Sequence, residues 1–231
     1  MGTRKVQPHE LREKCFLPLK LALESRSSKL SLHAVNGLQK LISDDRFRSE
    51  NEENSESQLP VQFLTTVAST PSLADEVQVE VMKLLLIITC SASCEVHGEY
   101  LIKLAEICIE TYTRAHQVAT KTACRATLTQ MLSSVCHRLQ DSLASPVTSK
   151  ISSSDSKIIK HTNLLSTDHA KLLSQDVVLL LKHFCFRLTA GPSVPVQGGQ
   201  AIPLYLEAIL VMLSSLSTAL RQDKEFINVI W

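Results

Sequence analysis

The chain has 231 residues, of which 44% are hydrophobic and 20% charged, a composition that folds and leaves ample length to bury a core. A net charge of +1 and the lack of any basic cluster exclude the electrostatic footprint of a nucleic-acid binder. Six glycines and eight prolines are few for this length, and Leu, Ile, Val and Ala recur at helical rather than alternating spacing, so the fold class expected is all-α.

The opening "MGTRKV" starts like a myristoylation site but carries Val6 where Ser or Thr is required. The apolar run "CFLPLKLAL" is broken by Pro18 and Lys20 and lacks the uninterrupted core of a signal peptide. Residues 9–24 read as a first helix that tolerates Pro18, and Ser28 to Leu41 as a second, the pair forming a hairpin. "SDDRFRSENEENSES" then turns polar and acidic, the composition of a solvated loop over about 43–57.

A short helix is predicted from Leu59 to Ala68. The next is expected to open at Thr70-Pro71-Ser72, with a proline in its first turn and an N-cap candidate beside it. Its "VQVEV" alternation could signal a strand. Val77, Val81, Leu84, Leu85 and Ile88 make one helical stripe, however, and Val79, Met82 and Leu86 a second, so the expectation is a helix sandwiched between layers. "EYLIKLAEICIETY" places Leu101, Leu104, Ala105, Cys108 and Tyr112 on one face, and a longer helix runs to about Leu139.

Within that longer helix, "KTACRATLTQML" sets Cys124, Leu128, Met131, Leu132 and Val135 in one apolar stripe. Ala123, Thr127 and Gln130 form a neighbouring small-residue face on which a second helix could lie closely. Arg125 projects between the two, where it is either a solvated cation or one that specifies a partner; Lys121 and Arg125 are the partner-binding candidates. Residues 142–166 shift to Ser, Thr, Lys and Pro and read as a linker. "DHAKLLSQDVVLLLKHFCFRLTA" is another helix, "GPSVPVQGGQ" a flexible loop, and Pro203 to Leu220 a further helix in which Glu207 and four Ser/Thr residues argue against a membrane span. "KEFINVIW" stops on Trp231 within an apolar helical run, which reads as a truncated piece of something larger.

Sites for chemistry are few. The seven cysteines are an odd number, fall mostly on apolar helix faces and accompany no Asn-x-Ser/Thr acceptor, which points to a reduced, cytosolic setting. Cys90, Cys94 and His97 are the one metal-like group, and a fourth zinc ligand is missing. His33, His137 and His183 read as ordinary helix residues, and Glu76 with Glu80 as a solvated face. No phosphate loop, nucleophile elbow or H-E-x-x-H occurs, so no catalytic residue, cofactor or metal is expected. Helix pairs about every 40 residues, and the shared small-x-x-x-Leu-x-x-Leu spacing of "HAVNGLQKLI" and "ACRATLTQML", suggest stacked hairpins of the armadillo or HEAT kind, with a compact bundle as the alternative.

"FLPLKLALES" and "GLQKLI" within residues 16–42, "VQVEVMKLLLIIT", "CEVHGEYLIKLAEICIETY" and "ATLTQML" together resemble, over about 15–140, the N-terminal dimerisation and cyclophilin-binding (DCB) domain of the large Arf guanine-nucleotide exchange factors. Among these the chain is most similar to the brefeldin A-inhibited exchange proteins and their divergent branch. "LSQDVVLLLKHFCFRL" and "DKEFINVIW" resemble the start of the homology-upstream-of-Sec7 (HUS) region. The resemblance implies a DCB-like domain over 1–141, a Ser-rich linker over 142–166 and the beginning of a HUS-like region over 167–231.

It also implies an armadillo-like α-solenoid that is a regulatory, non-enzymatic module. Such a module associates with itself as a homodimer and contacts the HUS region of the parent protein. It is recruited through Arf or Arf-like small GTPases to Golgi or secretory-granule membranes, as a cytoplasmic, peripheral protein. The family's Asn-Tyr/Phe-Asp-Cys box and its Sec7 domain with the glutamate finger do not occur in the sequence, so no catalytic residue is carried over. An unrelated armadillo or HEAT scaffold for other peptide partners is the alternative.

Overall fold

A computed structural model describes residues 6–25, 27–47, 58–91, 96–144, 158–189 and 201–217, with backbone only for 158–167. The acidic stretch beyond Phe47, Cys94, most of the Ser-rich stretch, the "GPSVPVQGGQ" loop and the run ending at Trp231 lie outside the described residues. Among the described residues every regular element is helical, in eight α-helices and two short 3-10 turns. The expected all-α architecture of stacked helical hairpins is what the chain adopts. The helices fall into two compact units, residues 1–128 and 129–231.

In the first unit, α1 (Pro8–Glu24) begins on a proline that needs no N–H in the first turn. It turns Arg12, Phe16 and Leu23 inward, onto α2 and α3. α2 (Ser28–Ser43) starts at Ser27, whose hydroxyl accepts from the Leu30 amide, and buries Ser31, Ala34, Val35, Leu38, Leu41 and Ile42 at helical spacing. Ser31 closes the hairpin by donating to the carbonyls of Ala22 and Leu23 at 3.2 and 3.0 Å. Gly37 lets the two helices meet closely, because a Cβ there would stand 2.7 Å from Leu19 Cδ2. A 3-10 turn, Asp45–Phe47, follows within the segment read as a loop.

α3 (Leu59–Val67) packs on α1 and on α5. The expected start of the next helix at Thr70-Pro71-Ser72 needs correction. Those residues form a separate 3-10 turn, Leu73 is extended, and α4 (Asp75–Cys90) begins at Asp75. The Gln78 side chain causes the break: its amide donates to the carbonyls of Thr70 and Leu73 and pins the turn against the helix start. α4 buries Val77, Val81, Leu84, Leu85 and Ile88 as expected. Of the second stripe Met82 is buried, whereas Val79 and Leu86 are half-buried, so α4 is covered fully on one side only.

Gly98, at φ 58°, admits the chain into α5 (Glu99–Arg114), a backbone conformation that L side chains rarely adopt. α5 buries Leu101, Leu104, Ala105 and Cys108, and Tyr112 is half-buried. α6 (Val118–Ala144) runs past the expected end at Leu139.

The second unit takes up α6 from Thr129, together with α7 (Ile158–Thr189) and α8 (Ile202–Ser215). α7 begins ten residues before its expected start at Asp168 because 158–167 contains no Gly or Pro to interrupt a helix. α8 packs on α7 through Phe184 and Tyr205, whose ring centroids are 6.1 Å apart, and Arg187 Nε donates to the Tyr205 hydroxyl at 3.0 Å. Cys136 and Gln140 of α6 reach the carbonyls of Met212 and Ser215. Among the described residues no helix is long and apolar enough to cross a membrane.

Candidate partner-binding surface

The start of α6 is fixed to the start of α4. The Gln117 amide donates to Asp75 Oδ2 at 3.0 Å, and the Thr120 hydroxyl donates to the Asp75 carbonyl at 3.4 Å. This anchoring sets the rotation of α6. Thr120, Cys124, Thr127 and Leu128 turn inward, while Val118, Thr122, Arg125 and Ala126 face solvent.

Lys121 and Arg125, one helical turn apart, share the outer side. The half-buried Lys121 holds its Nζ 5.6 Å from the centre of the Tyr112 ring of α5, within cation–π range. Arg125 is exposed. Arg125 therefore sits on an open strip that begins with Val118, which is 80% exposed, with the half-buried Lys121 at its edge.

The small-residue face read beside Arg125 meets a helix of its own chain at Thr127. Thr127 is buried and directs its hydroxyl at the Met82 carbonyl of α4, 3.5 Å away, whereas Ala123 is half-buried and Gln130 exposed. The helix that approaches Thr127 is α4 of the same chain, so the face is occupied from within at that position.

The remaining candidates resolve simply. Cys90 is exposed and His97 half-buried. Among the described residues no three His, Cys, Asp or Glu side chains gather as a metal site. Glu76 is exposed, and Glu80 pairs with Lys83 at 2.6 Å on a solvated face. Burial pushes the Cys124 and Cys136 thiols up to about 12 and raises that of Cys108 as well, so these are inert core groups. His33 and His137 are exposed, and His183 lies edge-on to Phe184.

Sequence reasoning missed a concave surface between α1, α3 and α5. A groove of about 1030 Å³ is walled by His9, Glu13, Phe16, Leu17 and Lys20 of α1 and Val61 of α3. It adjoins a second hollow of about 490 Å³ reaching Tyr100, Lys103 and Ile107 of α5. Leu17, which lines the groove, is 61% exposed, and Leu21 one turn on is 59% exposed. Their i, i+4 spacing was the signal in the sequence, but only the packing of α1 shows that this side of the helix stays outside.

Among known proteins, the family model described as Mon2/Sec7/BIG1-like, dimerisation and cyclophilin-binding domain matches residues 3–143. Over 228 residues, 98% of this chain, the sequence is 41% identical to brefeldin A-inhibited guanine nucleotide-exchange protein 3 of Mus musculus. The Homo sapiens protein of that name is 42% identical over 233 residues. Brefeldin A-inhibited guanine nucleotide-exchange protein 2 of Arabidopsis thaliana is 30% identical over 139 residues, 58% of the chain. The chain spans about 10% of the length of the mouse and human relatives.

Proposed function

The chain belongs to the dimerisation and cyclophilin-binding domain family of Mon2/Sec7/BIG1-like proteins, and from that premise we propose that it is the regulatory module through which a large Arf exchange factor self-associates and reaches its membrane. The match over residues 3–143, which takes in α1 to α6, carries this reading. The matched domain is non-catalytic, distinct from the Sec7 domain that promotes nucleotide exchange in the parent family. The alternative of an unrelated scaffold falls to the same match.

In this reading the helical core presents surfaces rather than a reactive centre. The DCB-like part meets the HUS region of the parent protein, and Arf or Arf-like GTPases bring the assembly to Golgi or secretory-granule membranes as a peripheral protein. Lys121 and Arg125 are the proposed contacts, because Arg125 is exposed and Lys121 half-buried on the side of α6 opposite its core. Cations at an interface rim act mainly on encounter and specificity, so they suit selection among related GTPases.

The test is retention of purified Arf and Arf-like GTPases on the immobilised chain, each loaded with GTP or GDP. Preferential retention of the GTP form of one of them, reduced by Lys121→Glu/Arg125→Glu, supports recruitment through this strip. Indifference to nucleotide state across the set overturns recruitment by GTPases.

A further inference from the structure

The outer face of α1 carries four exposed residues in one line: Lys14, Leu17, Leu21 and Glu24. Their spacing of three, four and three residues is that of a helix-pairing seam. The two leucines are 61% and 59% exposed, on a helix whose other face is core. Cationic and anionic ends bracket the apolar pair.

This arrangement is symmetric about Leu19. A two-fold axis there brings Leu17 of one chain against Leu21 of another and Leu21 against Leu17. It also brings Lys14 against Glu24 at both ends. Isologous interfaces need this reciprocity, in which residue i meets j and j meets i. A parallel pairing would set Lys14 against Lys14 and Glu24 against Glu24, a like-charge arrangement that selects against it.

We propose that a second copy of this chain docks antiparallel along α1, with Leu17 and Leu21 as the buried centre and Lys14–Glu24 ion pairs at both ends. The proposal rests on the self-association reading above and assigns it a surface. It does not use the small-residue face of α6, which α4 already fills at Thr127. One pair of 17-residue helices forms an interface at the small end of the specific range, so association is weak and concentration-dependent.

Sedimentation equilibrium of the full 231-residue chain over a range of concentrations tests it, with circular dichroism confirming that each variant keeps its helices. The wild type associates. Leu17→Asp/Leu21→Asp abolishes association, and Lys14→Glu weakens it roughly tenfold, because each exposed ion pair is broken twice per dimer. Lys14→Glu/Glu24→Lys restores it. A wild type that associates while either the leucine variant behaves identically or the charge swap fails to rescue overturns the α1 interface and leaves self-association standing. A wild type that stays monomeric throughout overturns both.

Discussion

Arg12 Nε donates to Gln62 Oε1 at 2.9 Å, joining α1 to α3 across fifty positions of sequence. Arg12 Nη1 also donates to the Phe47 carbonyl, so one guanidinium, fully buried, ties two helices to the 3-10 turn after α2. Removing it would take the donor from Gln62 Oε1 and the Phe47 carbonyl, both on half-buried residues, and empty the buried space the side chain fills. Arg12→Ala is expected to cost about 3 kcal/mol or more. Arg12→Lys should recover less than half, because an ammonium cannot span both acceptors as the planar fork does. Urea unfolding of the three proteins checks this, and near-wild-type stability of Arg12→Ala would show that the buried linkage adds nothing.

Acid behaviour has a local marker in Asp44. Hydrogen bonds from the Arg46 side chain, and then from its amide, hold the carboxyl down at about 2 from the ordinary 3.8. Because the folded value is depressed, whatever the pair contributes is complete above about pH 4 and fades as the pH falls toward 2. Arg46 is 83% exposed, so salt screens the attraction. An NMR titration of Asp44 should give a midpoint near 2 at low salt. High salt or Arg46→Gln should move it upward, and an unchanged midpoint in Arg46→Gln would refute the assignment.

Helix positions were legible because apolar periodicity survives reading one residue at a time: the stripes of α2 and α5 and the core side of α6 all lie where spacing puts them. What could not be read depends on partners distant in sequence. Arg12 looks like any helix-surface cation until Gln62 and Phe47 converge on it. Thr70-Pro71-Ser72 carries every sign of a helix start, and only Gln78 reveals a separate turn. Thr127 reads as part of a face for a neighbouring helix, and only the Met82 carbonyl shows that the neighbour is α4. For the candidate surface, spacing placed Lys121 and Arg125 on one side of α6, but the exposed line along α1 needed the packing of α2 and α3 to be seen.

Thiol reactivity should divide the cysteines by burial. A thiol at about 12, as for Cys124 and Cys136, has on the order of one thiolate in ten thousand at pH 8. Among the described cysteines, Cys90, exposed at the end of α4, should alkylate first. Cys108, Cys124 and Cys136 should stay unmodified until denaturant is added. Peptide mass spectrometry after a short iodoacetamide pulse reads this site by site, and early labelling of Cys124 would mean that α6 opens locally.

The two sides of α6 should separate stability from recognition. Leu128 and Leu132 are each 1% exposed, so truncation to Ala removes apolar burial and leaves a void, costing about 2–5 kcal/mol. That range approaches the whole stability of many domains, and a sharply lowered melting temperature is expected for either variant. Lys121→Ala forfeits the contact with the Tyr112 ring, worth about 0.5–1 kcal/mol at a partly open site. Arg125 is exposed, and whatever it pairs with at a solvated site contributes little, so Arg125→Glu should melt far closer to wild type than either leucine variant. If the strip is the recruiting surface, Arg125→Glu should lose GTPase retention at unchanged stability, whereas a Leu128→Ala chain held below its melting point should still bind. Arg125→Glu that unfolds would make the arginine a structural ion-pair residue. Unaltered binding in that variant would return it to an ordinary solvated cation and move the search to the α1, α3 and α5 groove.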